Sequence, residues 1–349
     1  MLERSRMWKQ ALVVMLVVAV LALTGCGGGK PAEQGAEGDT GKPIEIIVSH
    51  NHPENSPEHE GMAVFKELVE EKTDGKAQVK IYTNLQLGSM REQAEATQTG
   101  TIQITQQPTA VLSTFVTAYE LVDFPFLWPD AETAYKVLDG EVGELIGAEA
   151  EKEGFVNLGW MAAGFKQFTA NKPIRSAADM RGMQMRVMPA PLLNAQMEAL
   201  GSKPTPIEFG ELYNSLQQGV VDGQENPIKT IYLNRLFEVQ DYLIHSNHGF
   251  LGYGIVANKG WFEGLPADIQ TVIRESMQEA CEVEREALSK AEQDMLDEIE
   301  AFGTEIIELT PEAIEEFRQL VLPVHDQFAD RVGRSLLDTT YAQIEEATK

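Results

Sequence analysis

Cysteine is almost missing from this chain: Cys26 and Cys281 are the only two in 349 residues. So few thiols leave no disulfide framework and no cysteine metal site. Positive charge is also scarce, with 28 basic against 54 acidic residues and a net charge of −26. A surface this acidic is a poor partner for nucleic acid or anionic lipid. It also repels small anions at long range, although salt screens this beyond roughly 10 Å. Any anion site must therefore rest on a few locally concentrated cations. There is no Gly-x-Ser-x-Gly motif for a serine nucleophile. Cys281 lies in an acidic helical stretch that disfavours a thiolate, and carboxylate runs such as Glu279 to Glu286 read as solvated helix faces. No catalytic residue and no cofactor is assigned.

Long apolar runs are missing too, apart from Ala11 to Leu23, which is shorter than the about 20 residues a membrane span needs. Arg4, Arg6 and Lys9 precede that run and Leu23-Thr24-Gly25-Cys26 ends it. This is the layout of an export signal over residues 1–25. A cysteine directly after Leu-Thr-Gly resembles the lipobox of bacterial lipoproteins, which implies cleavage before Cys26 and a diacylglyceryl group on its sulfur. Each buried acyl methylene contributes about 0.8 kcal/mol to membrane anchoring. Gly27 to Lys42 is glycine-rich and polar, too poor in apolar residues to bury a core, so residues 26–42 read as a flexible tether.

From Pro43 onward strand-like and helix-like segments alternate, an α/β pattern. A strand is expected over Ile44–Ser49, a helix from Pro57 to Thr73, a strand around Val79 and Ile81, a helix opened by a Ser89/Glu92 capping box, and a strand over Ile102–Gln106. This βαβαβ order describes a first lobe, mainly residues 43–160. Phe155–Ala163 then crosses to a second lobe, mainly residues 161–258, with a strand at Met183–Met188, helices at Pro191–Leu200 and Gly210–Gln218, a polar turn around Asp222 to Asn226, Pro227 at the first position of a helix, and a return strand at Ile255–Asn258. Residues 259–349 are helical, and Pro266 to about Ala301 could form one helix of roughly 50 Å that braces both lobes. There is no internal repeat.

His50, His52 and His59 contain ligand-type side chains without the spacing of a zinc site, and His245 and His248 flank a strand end that suits hydrogen bonding. No metal is assigned. More informative is the stretch from Arg181 to Pro227. Arg186 sits in a short apolar strand, where an unpaired charge is costly, and its planar fork matches a carboxylate. Asn226 offers a further donor to the same anion.

The segments GFKQFTANKPIRSAADMRGMQMRVM, SKPTPIEFGELYNSLQQGVVDGQENPI and NHGFLGYGIVAN resemble the DctP-type solute-binding proteins of tripartite ATP-independent periplasmic (TRAP) transporters, and the likeness extends over the body from Ile44. The resemblance implies a two-lobed, periplasmic-binding-protein-like (Venus flytrap) α/β fold that closes on a small organic acid such as a C4-dicarboxylate. It implies that Arg186 pairs with the ligand carboxylate, that Asn226 joins it and that Phe209 lines the pocket. Where many members carry a second arginine this chain has Lys166, which keeps the charge without the fork. Asn51, His52 and Gln106 are expected at first-lobe loop or strand ends facing the cleft. The implied partners are the small and large membrane subunits of a permease driven by an ion gradient; neither nucleotide nor nucleic acid is expected, and the receptor is expected to be a monomer. A ligand-presenting sensor lipoprotein and a carboxylate-processing enzyme are the alternatives; the missing signalling segment and catalytic constellation count against them.

Overall fold

Residues 41–349 are described in the computed structural model, so the export signal, Cys26 and the tether before Gly41 lie outside the described residues. Among the described residues no helix is long and apolar enough to cross a membrane. Ten strands form one connected sheet. They are β1 (Ile44–Ser49), β2 (Ala77–Tyr82), β3 (Ile104–Pro108), β4 (Phe155–Ala170), β5 (Gln184–Val187), β6 (Lys203–Pro206), β7 (Gly223–Pro227), β8 (Tyr242–His245), β9 (Phe250–Asn258) and β10 (Glu305–Glu308). The main path runs β2-β1-β3-β9-β4-β7-β5-β6, with β8 beside β4 and β10 beside β8.

The helices are α1 (Pro57–Lys72), α2 (Met90–Gln98), α3 (Thr109–Leu112), α4 (Ala131–Leu138), α5 (Glu141–Lys152), α6 (Pro191–Ala199), α7 (Leu212–Gln217), α8 (Ile228–Leu233), α9 (Lys259–Glu263), α10 (Ala267–Phe302), α11 (Pro311–Val321), α12 (Pro323–Val332) and α13 (Arg334–Ala347). Local chemistry accounts for the starts of several. The Ser56 side chain accepts from the His59 amide, Pro57 occupies the first turn of α1, and Glu58 and Glu60 place negative charge at its positive end. The Ser89/Glu92 capping box forms as the spacing requires.

The first lobe is built on β1, whose β-branched residues pair in parallel with β2 on one side and β3 on the other. Its β3 starts two residues later than the sequence suggests, because Gly100 (φ +84°) and the amides of Thr101 and Ile102, both bonded to the Ala96 carbonyl, still belong to the end of α2.

The crossing segment and the strand after it are one continuous strand. From Phe155 to Phe165 β4 pairs antiparallel with β9, and from Lys166 onward it pairs with β7 and β8. The ladder slips between Asn157 and Gly159 and between Ala162 and Gly164, where Gly164 adopts φ +102°. Thus β9, placed by sequence with the second lobe, returns to the first-lobe sheet between β3 and β4. The Asp222–Asn226 stretch is also not a simple turn: residues 223–227 form β7, and Pro227 precedes α8 as its cap residue. Strands β6 and β10 were not anticipated, since four residues such as KPTP or EIIE carry no distinguishing period.

At 36 residues, α10 spans about 54 Å at 1.5 Å per residue. It packs along α1 and β4 and reaches α8, so it touches both lobes. The chain closes it at Gly303, whose φ of +119° suits only glycine.

Candidate functional site

Strand pleat decides which side chains meet. In parallel pairing Arg186 of β5 lies opposite Gln224 of β7, and Asn226 is two residues further along β7. A period of two puts Arg186, Gln224 and Asn226 on one face, and the Asn226 amide donates to the Gln224 side-chain oxygen there. Arg186 is 1% exposed. Its Nε donates to the Ile207 carbonyl at 2.9 Å, while Nη2 is buried with no partner in the protein. Burial lowers its pKa to about 10, with Glu225 and Glu208 working the other way, so it stays a cation at neutral pH. A buried guanidinium with an unsatisfied donor is costly unless something anionic or polar meets it.

Beside this face is a cavity lined from both lobes. The first lobe contributes Asn51 and His52 from the loop after β1, and Pro108 from the end of β3. The second contributes Met188, Phe209, Asn226, Lys229 and Thr230, and Leu251 and Tyr253 of β9 complete the wall. Of the expected site residues, Asn51, His52, Phe209 and Asn226 therefore share one cavity, and Arg186 stands on the same sheet face as Asn226 without lining it.

Next to His52 of the first-lobe wall are two more imidazoles, His50 and His59. His50 Nε2 and His59 Nδ1 are 3.2 Å apart, and the His52 amide donates to His50 Nδ1 at 3.2 Å. His52 packs edge-on to Tyr253, with ring centroids 4.8 Å apart. Burial, then the neighbouring His52 and His59, pushes His50 down to about 3. His52 is also pushed well below its ordinary value, by burial first and then by Lys229 and His59. Both rings are neutral at pH 7. His52 Nε2 and Asn51 Oδ1 are buried with no protein partner. Among the described residues no group of three or more His, Cys, Asp or Glu side chains is arranged to hold a metal ion.

Lys229 is the charged cavity residue that sequence reasoning missed, along with Pro108, Met188, Thr230, Leu251 and Tyr253. Lys229 lines the cavity, and its ammonium bonds to Glu58 in the first turn of α1 and lies 5.8 Å from the Tyr253 ring centroid. The available signal was a lone lysine between Ile228 and Ile231 directly after the DGQENP run, a place where a helix buries its face.

Lys166 is elsewhere. Antiparallel register sets Gln167 opposite Asn226 and Lys166 opposite Pro227, so Lys166 points to the other face of the sheet from Asn226. There its ammonium meets Asp123 at 3.3 Å and Glu225 at 3.1 Å. Glu225 also bonds His248 at 2.7 Å, and His248 stacks on Phe168 at 3.8 Å. Burial opposes the charge on Glu225, but Lys166 and the His248 hydrogen bond outweigh it and hold the carboxyl at about 2. This is a self-satisfied ion cluster under the sheet, not a wall of the cavity. Gln106 does not line the cavity either: it sits in the middle of β3 with Nε2 3.4 Å from Met161 Sδ. The thiol of Cys281 is buried and pushed up to about 12 by burial, which leaves no nucleophile there.

A family model described as bacterial extracellular solute-binding protein, family 7, matches residues 48–331. The C4-dicarboxylate-binding periplasmic protein DctP of Rhodobacter capsulatus is 36% identical over 312 residues, covering 88% of this chain and 92% of that protein. Among solved structures, a TRAP periplasmic solute-binding protein from Sulfurospirillum deleyianum with bound succinate aligns with a TM-score of 0.81 at 35% identity, over 86% of this chain and 99% of its own. A sugar-acid-binding protein from Advenella mimigardefordensis in complex with galactonate aligns with a TM-score of 0.84 at 28% identity, over 88% of this chain and 99% of its own.

Proposed function

Because this chain belongs to the bacterial extracellular solute-binding proteins of family 7, we propose that it captures a small organic acid between its two lobes, with the ligand carboxylate held by Arg186 and Asn226. The observation that carries this reading is the buried Arg186 guanidinium, whose Nη2 lacks a protein partner, on the same sheet face as Asn226, which lines the two-lobed cavity. A carboxylate offers two acceptors to a planar fork, so it satisfies that donor and offsets the buried charge. Asn51, His52 and Phe209 then contact the remainder of the ligand. A ligand touching both lobes shifts the population toward the closed form by its differential affinity.

TRAP solute-binding proteins bind organic acids and work with membrane permease subunits. The finer reading is that this receptor, a monomer held at a membrane surface through lipid on Cys26, delivers its cargo to the small and large permease subunits. The lipobox-like Leu23-Thr24-Gly25-Cys26 supports the anchor.

Replacing Arg186 tests the site. Arg186→Ala is expected to weaken binding of whichever carboxylate the protein takes by about 2–5 kcal/mol, the scale for removing one partner of a buried charge pair. Calorimetry on wild type and variant measures this. An affinity left unchanged would remove Arg186 from the role.

A further inference from the structure

Solved relatives hold both a dicarboxylate and a sugar acid, so membership alone leaves the ligand class open. The charges around the cavity narrow it. Two cations are near the site: Lys229 lines the cavity, and Arg186 stands on the sheet face of Asn226. Against them stands Glu58, whose Oε1 accepts from Lys229 and lies 3.8 Å from His52 Nδ1. Glu58 is fully buried in the first turn of α1, where the helix dipole favours an anion. The imidazoles of His50 and His52 are neutral. Burial and then the nearby Glu58 push the Glu284 carboxyl well above the usual range, which works against a further negative charge there. Glu225 is engaged by Lys166 and His248 on the far face. Of the two cations, Lys229 is already paired with Glu58, whereas Arg186 keeps a buried donor, Nη2, that no protein group meets.

We propose that the Glu58–Lys229 pair makes this a receptor for a monocarboxylate with a neutral, hydroxylated tail, and selects against dicarboxylates. This rests on the carboxylate site assigned to Arg186 and Asn226. One carboxylate neutralises Arg186. A second would have to take Lys229 from Glu58, leaving a carboxylate buried without its cation, which is strongly unfavourable. A hydroxyl carries no such penalty. It donates and accepts at once, so it can serve Asn51 Oδ1 or His52 Nε2, both buried without a protein partner, and also accept from one of the ammonium protons that Glu58 leaves free. A carboxylate only accepts.

The test is a calorimetric comparison of two series, lactate, glycerate, gluconate and galactonate against succinate, fumarate and malate. It uses wild type, Glu58→Gln, Lys229→Gln and the double variant, each checked for folding by its circular dichroism melt. Wild type is expected to bind at least one monocarboxylate, and every dicarboxylate at least about tenfold more weakly. Glu58→Gln frees the charge of Lys229 and should move the ratio toward dicarboxylates by about tenfold or more. The double variant restores the original charge count and should restore the monocarboxylate preference. Lys229→Gln should weaken the preferred monocarboxylate, an arm that stands even where Glu58→Gln does not fold. A wild type that prefers a dicarboxylate, a ratio unmoved in Glu58→Gln, or full monocarboxylate affinity in Lys229→Gln overturns the inference while leaving the carboxylate site intact. If no acid of either series binds wild type, the carboxylate site itself fails.

Discussion

Glu284 shows how strongly one residue can be conditioned by its place. It is fully buried on α10, and burial, then repulsion from Glu58, lifts its pKa well above the ordinary 4.5. Above about pH 4.5 the unfolded chain releases this proton while the native protein keeps it. Stability therefore falls as pH rises through that window, by up to about 1.4 kcal/mol per pH unit. Glutamine has nearly the same shape and does not titrate. The gain of Glu284→Gln over wild type in urea denaturation should accordingly be larger at pH 8 than at pH 5; equal gains would show that the native carboxyl is already ionised. The same scale explains what could be read without coordinates. Arg186 and Asn226 were legible because an arginine in an apolar strand and an amide in a polar run are anomalies of local composition. Lys229 was not, because its partner Glu58 is 171 residues away. Lys166 was placed at the ligand because it stands where many members of the resembled family carry a second arginine, yet its direction depends on the register between β4 and β7, which no single segment encodes.

At the scale of elements, the contact of α1 with α10 is set by Gly61. A Cβ there would lie 2.7 Å from the Ala280 carbonyl oxygen and 2.9 Å from Met161 Cε. The methionine can move, but the carbonyl is helix backbone and cannot. Alanine normally gains up to about 1 kcal/mol over glycine inside a helix, whereas overpacking costs about 1–3 kcal/mol. Gly61→Ala is therefore expected to lower the urea midpoint, and a raised midpoint would mean that the two helices have slack. Helices with caps and a clear period were readable in sequence: α1, α2, α6 and α10 lie close to where their apolar spacing and Ser, Pro or Gly signals put them. Strands were less so. The continuity of β4 through two lobes, and the recruitment of β9 into the first, follow from pairing between distant segments.

For the whole molecule, a net charge of −26 means that folding brings like charges together. The many surface ion pairs offset little, since each exposed pair contributes about 0–1 kcal/mol. Screening shortens the reach of the repulsion from about 10 Å at 0.1 M salt to about 3 Å at 1 M. The melting temperature should rise as sodium chloride is increased from low salt to 1 M; a fall would show that surface pairs outweigh the global repulsion.

Class, order of elements and the presence of an arginine in a short apolar strand were determined by the sequence itself, because periodicity, capping and local charge act over a few residues. Tertiary structure alone decided which cation borders the cavity, which is bound up beneath the sheet, and which carboxylate each of them meets. Those depend on which face a strand register presents and on which distant carboxylate folding brings to each ammonium.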